Sequence, residues 1–191
     1  MDVRIKSKCF YQLFFCKKLI SFSLIISILP AYASTTDPEN FRYFVDPVSG
    51  FYFQYPAHWI TKPPRGNPDV KIKVSSNADD KANCYVAVTD SSDKTSEISN
   101  IEQILQEIRH RYPDTKLIKT GSLILDHFSA DFVHVTMAFD NFNSPVSIHN
   151  IITIVEKNEL TYSITCGSFS SGFEKVEPVF WNIIQSFGLL D

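Results

Sequence analysis

Three histidines, His127, His134 and His149, and three aspartates, Asp126, Asp131 and Asp140, fall within three successive strand-like runs and could converge on one face. Three imidazoles can hold zinc, so the chemistry open to such a set is metal binding or metal-assisted hydrolysis. The spacing argues against it. No HxxxH, HExxH or CxxC pattern is present, and scattered single histidines are commonly surface or hydrogen-bonded residues. No metal or cofactor is therefore expected. A Cys166 nucleophile would need a basic partner to form its thiolate. Leu160, Tyr162, Ile164 and Cys166 alternate along one strand face, which makes Cys166 a core or disulfide residue instead. The run Gly167-Ser168-Phe169-Ser170-Ser171-Gly172 lacks the Gly-x-Ser-x-Gly spacing of a nucleophile elbow and reads as a strand-to-helix loop, with Ser171-x-x-Glu174 as a helix-start cap. No residue is assigned as catalytic. His58 and Trp59 leave an aromatic strand beside a proline-rich loop. They are the candidate partner contacts, although the apolar neighbourhood of Trp59 favours reading it as a core plug at the sheet edge.

The elements that must carry these residues follow from periodicity. Aromatic runs at 41–46 and 51–55 flank Pro47-Val48-Ser49-Gly50 and form a hairpin, and residues 62–68, with three prolines, form an exposed loop. Residues 70–74 and 84–89 alternate as strands. Ser99-x-x-Glu102 caps a helix whose apolar face is Ile101, Ile104, Leu105 and Ile108, ending at Tyr112-Pro113. Strand-like runs at 116–125, 130–139, 146–156 and 160–166 make an antiparallel meander. Phe173, Val176, Phe180, Ile183, Ile184 and Phe187 form a helical stripe, with Pro178 placed in the first turn and the helix start near Glu177. Strands outnumber helices without βαβ alternation, which predicts an α+β domain.

The first 33 residues read as a secretory signal. Arg4, Lys6, Lys8, Lys17 and Lys18 precede an apolar run at 19–29, Pro30 and Ala31-Tyr32-Ala33, with cleavage expected after Ala33. The apolar run falls well short of the about 20 residues that cross a bilayer, so no stable membrane anchor is expected after cleavage. Residues 34–40 form a flexible lead-in and 41–191 a single domain. The released chain keeps thirteen basic against twenty acidic residues, a net charge of −7 that repels nucleic acid. Cys9 and Cys16 leave with the signal. Cys84 and Cys166 remain in an oxidising space, where one disulfide is expected, two buried free thiols being the alternative.

Three segments carry a resemblance: "FYFQYPAHWI" at 51–60, "LTYSITC" at 160–166 and "FWNIIQSFGLL" at 180–190. An aromatic strand running into Tyr-Pro-x-x-Trp, here Tyr55, Pro56 and Trp59, and a closing helix with Ser-Phe, here Ser186 and Phe187, resemble the PsbP-like superfamily. That superfamily includes an extrinsic photosystem II subunit, a yeast import factor that binds Ran, and bacterial envelope proteins. The resemblance implies an α/β/α sandwich with a central antiparallel sheet, used to bind or help assemble other proteins, and it transfers no active site. The leader lacks the Arg- and Ser-rich pattern of a plastid transit peptide, which counts against a photosynthetic role. The expected protein is a periplasmic or secreted, non-catalytic binding module for another envelope or secreted protein. The alternative is a secreted metal-binding protein or hydrolase using the His and Asp positions of the meander.

Overall fold

Short alternating runs, broken by residues that tolerate left-handed backbone, shape this chain into hairpins around two amphipathic helices. The computed structural model describes residues 41–63, 66–77, 81–90, 101–141 and 144–190. The secretory leader with its Ala33 cleavage site, the lead-in at 34–40, Cys9, Cys16, the Ser99 cap and the side chain of Asp140 lie outside the described residues. In chain order the elements are β1 (Phe41–Asp46), β2 (Phe51–Pro56), β3 (Ile60–Lys62), β4 (Val70–Ser75), β5 (Asn83–Asp90), α1 (Ile101–Arg111), β6 (Lys116–Leu125), β7 (Phe128–Asn141), β8 (Ser144–Lys157), β9 (Leu160–Phe169), α2 (Phe173–Gln185) and β10 (Gly188–Leu189). Among the described residues no helix is long and apolar enough to cross a membrane.

Seven strands form one antiparallel sheet in the order β3-β4-β5-β9-β8-β7-β6, and β1-β2-β10 form a small second sheet. Turn chemistry sets the meander. Asp126 and His127 (φ 44° and 73°) join β6 to β7, and Asn158 and Glu159 (φ 51° and 63°) join β8 to β9. Two-residue loops with both centres left-handed match the natural twist of paired strands. Asp and Asn tolerate that backbone through local hydrogen bonding and His is also enriched there, whereas Glu159 occupies it at a cost. In the β1–β2 turn, Asp46 Oδ1 accepts from the Val48 and Ser49 N–H groups at 3.0 and 2.9 Å, and Gly50 supplies φ 72°.

Each face of the large sheet has its own cover. Val133, Val135, Met137, Ile152 and Ile154 meet Ile104 and Leu105 of α1. On the opposite face, Val74, Val86, Ile151, Val155 and Ile164 pack with Phe173, Val176, Phe180, Ile183 and Ile184 of α2 and with Phe51 and Phe53 of β2. The result is the α/β/α arrangement of an α+β domain, with the small sheet sharing the layer of α2. The C-terminal Ser-Phe pair has a physical role at that junction. Ser186 Oγ accepts the Gln54 N–H at 2.8 Å and donates to the Ile183 carbonyl at 2.8 Å, while Phe187 stacks on Phe51 at 5.7 Å between centroids.

Cys84 and Cys166 sit directly opposite each other on β5 and β9 and are joined by a disulfide, with Cα atoms 4.0 Å apart. The bond ties the first half of the chain to the C-terminal meander at the centre of the sheet.

Four expectations change. α2 starts at Phe173, not near Glu177, because the apolar stripe begins at Phe173 and its burial outweighs the helix bond that Pro178 cannot donate to the Glu174 carbonyl. Its N-cap is Gly172, which offers no side-chain cap, so the Ser171-x-x-Glu174 reading is withdrawn. β9 runs on through Gly167, Ser168 and Phe169, which pair with Asn150, His149 and Ile148, so that stretch is strand and not loop. β3 and β10, three and two residues long, are too short to leave a periodic signal.

Candidate functional site

Three turns gather at one end of the large sheet, because antiparallel neighbours return there. The β1–β2 turn is held by Tyr162 Oη, which donates to the Ser49 carbonyl at 3.0 Å, and by the Leu190 N–H, which donates to the Gly50 carbonyl at 2.8 Å. Lys157, just before the β8–β9 turn, donates to the Leu190 carbonyl at 2.9 Å. Asp126, in the β6–β7 turn, accepts at Oδ2 from Tyr52 Oη and from the Leu189 N–H, both at 3.3 Å. Burial and the Asp126 carboxylate hold the Tyr52 phenol above its ordinary range, so it stays a hydrogen-bond donor.

Between these anchors lies a cleft of ≈ 560 Å³ lined by Tyr52, Asp126, His127, Phe128, Leu189 and Leu190. Lys157 Nζ lies 5.1 Å from the centroid of the Phe128 ring. Val48, at the tip of the neighbouring turn, is 95% exposed. A cleft of mixed polar and apolar lining, with a phenol, a carboxylate and an imidazole in its wall and the Lys157 ammonium over Phe128, can seat an amphipathic side chain of a partner. Sequence reading found Asp126 and His127 but missed the rest. Tyr52 was legible as the outward residue between inward Phe51 and Phe53, whereas Leu189 depends on β10 docking, which nothing local announces.

The other candidates separate. His134 and His149, diagonal neighbours on β7 and β8, meet with Nε2 and Nδ1 2.9 Å apart, and both rings stack against Phe173 with centroids at 4.8 and 4.3 Å. His134 is only 6% exposed. One ring must present a bare nitrogen for that hydrogen bond, so the pair is not doubly protonated as it stands. Burial pushes both rings below the ordinary imidazole value. The proximity of His149 and, less strongly, Lys119 adds to this for His134, while the Glu177 carboxylate opposes it for both.

His127 is not with them, lying seven residues earlier on an exposed turn. Asp131 accepts from Ser122 Oγ at 2.6 Å on the solvent side of the β6–β7 pair. Three histidines and their aspartates therefore do not converge on one site: alternation and the length of β7 keep the turn residues far along the strand. Among the described residues no group of three or more His, Cys, Asp or Glu side chains could hold a metal ion. Trp59 takes the core-plug reading and not that of a partner contact. It is 5% exposed and lies edge-on to Phe180 at 6.3 Å, so it is a core plug, while His58 beside it is exposed. Cys166, fully buried and bridged, has no thiol to offer as a nucleophile.

A family model described as PsbP matches residues 39–189. Cyanobacterial PsbP (CyanoP) from Synechocystis sp. PCC 6803 superposes with a TM-score of 0.61 at 14% identity, covering 78% of this chain and 92% of that one. The Saccharomyces cerevisiae Ran-binding protein Mog1p gives 0.58 at 9% identity, covering 80% and 96%. LpqN, involved in cell envelope biogenesis of Mycobacterium tuberculosis, gives 0.51 at 10% identity, covering 79% and 92%. At these identities the structures show a shared fold. No curated protein matches the chain by sequence.

Proposed function

The chain belongs to the PsbP family, and from that membership we propose that it is an exported, non-catalytic binding or assembly module of the bacterial envelope, acting through protein–protein contacts. The observation that carries this reading is the turn end of the sheet. There the exposed Val48 tip and the Tyr52–Asp126–His127–Phe128 cleft lie side by side on a framework locked by backbone hydrogen bonds. Rigid elements presenting exposed loop residues are how binding surfaces are commonly built. An interstrand disulfide buried at the centre of the sheet fits an oxidising compartment. Fold neighbours described as Ran-binding and as involved in envelope biogenesis show that this fold serves such tasks elsewhere.

The test is site-specific photo-crosslinking in the producing cell, with the crosslinker at Val48 or His127 and, as controls, at Lys62 and Glu107. Capture of the same envelope or secreted protein from the first two positions and not from the controls is expected. Equal capture from all four, or none from any, refutes the placement.

A further inference from the structure

β6 is the outer strand of the large sheet and has no strand partner on its free side among the described residues. At ten residues it is a long edge, and a long edge presents a row of unpaired backbone donors and acceptors that another strand can use. Its sequence is nearly self-complementary about Gly121. Reading outward, Thr120 answers Ser122, Lys119 answers Leu123, Ile118 answers Ile124, Leu117 answers Leu125, and Lys116 answers Asp126.

We propose that β6 pairs antiparallel with β6 of a second copy of this chain about a two-fold axis at Gly121, joining two seven-stranded sheets into one. In that register each residue faces its counterpart across Gly121. Pairing with β7 places Thr120, Ser122 and Ile124 on the α1 side of the sheet, and Ile118 is the extra residue of the β6 bulge. Ile118 and Ile124 are 52% and 69% exposed in the single chain, an unusual cost for two isoleucines on one strand. The two-fold brings each against the other twice, at the cross-strand spacing of about 5 Å where apolar pairs interact. The remaining face carries Lys119 opposite Leu123, so no like charges oppose. Gly121 at the axis adds no side chain between the strands, and a Cβ there would meet the Phe132 ring at 2.9 Å.

Other edges fit less well. β3 has three residues, and β1 has six with no comparable symmetry. The β6 bulge falls on Ile118, between Leu117 and Lys119, so regular pairing about Gly121 is limited to the five residues from Lys119 to Leu123, with Ile124 meeting the bulged Ile118 at each end.

The inference stands on strand register and not on the partner-binding reading. Sedimentation of the purified protein over a range of concentrations should show reversible dimerisation. Ile124→Lys should weaken it about tenfold or more, the loss expected from two apolar cross-strand contacts, with the melting temperature unchanged at dilutions where the parent protein is monomeric. Because that variant reports only the edge, a second test fixes the register. Chains carrying Thr120→Cys mixed with chains carrying Ser122→Cys should form a disulfide heterodimer on mild oxidation in higher yield than either alone. A protein that is monomeric at every concentration overturns the proposal, as does a dimer that ignores Ile124→Lys and fails to crosslink. A monomer that still captures an envelope protein would sink the dimer alone, and a dimer without capture would sink only the binding reading.

Discussion

Reducing the Cys84–Cys166 bond should cost this protein a large share of its stability. The two cysteines are 82 positions apart, and the bond forbids the unfolded chain every conformation that separates them. In the chain-entropy model a closed loop of this length is worth about 4.5 kcal/mol at 25 °C. Cys84 and Cys166 are in direct register between β5 and β9 and stay opposite each other after reduction, so the strand pairing itself does not depend on the bond. For a domain of this size, that loss lowers the melting temperature by roughly 10–18 °C. Thermal melts followed by circular dichroism, with and without a phosphine reductant, read it directly. The variant Cys84→Ala with Cys166→Ala should lose more than reduction does, because both side chains are buried and their removal also leaves a void. A reduced protein that melts within about 3 °C of the oxidised one would refute the reasoning, since the bond would then be worth less than about 1.5 kcal/mol.

The paired imidazoles give a pH dependence of definite sign. His134 and His149 are both held below the ordinary value of 6.5, so the unfolded chain binds protons more readily. Their contribution is therefore fully present above about pH 6.5 and is lost as the pH falls through their lowered folded values, and the melting temperature should drop between about pH 7.5 and 5.5. His134→Phe, which keeps an aromatic ring against Phe173, should flatten that slope, whereas an unchanged slope would show that other groups set it. Trp59→Ala removes an indole packed against Phe180 and should cost about 3–5 kcal/mol in a denaturant titration. A loss under about 1 kcal/mol, the range of exposed substitutions, would instead return Trp59 to the surface.

Most of the fold was legible because its information is local. The meander shows as four alternating runs, and α1 shows as an i, i+3, i+4 apolar face, so strand order within the meander follows from short turns alone. What escaped depends on contacts between distant segments. β10 exists because the Leu189 and Leu190 N–H groups find Asp126 and the Gly50 carbonyl, partners more than sixty positions away. The extra turn of α2 exists because Phe173 is buried between the histidine pair and Phe180, which outweighs a proline that local rules would place at the start. The histidines show the same limit from the other side. Residue type alone grouped three of them, but alternation along β7 and β8 can bring only His134 and His149 to one face, and the turn carries His127 away.

The His pair and the turn-end cleft make different demands on the fold, and that difference bears on function. His134 is buried between the sheet and Phe173, with Ser168 buried alongside on β9, and the half-buried His149 spends its Nδ1 on the His134 ring, so the pair's hydrogen-bonding capacity is turned inward. They behave as a polar part of the core whose stability tracks pH. The cleft at the turn end is open, and its polar groups are fixed by bonds to backbone that do not need a ligand to form. A surface ordered before its partner arrives loses little conformational entropy on binding. That makes the turn end, and not the histidine cluster, the place where recognition costs this chain least.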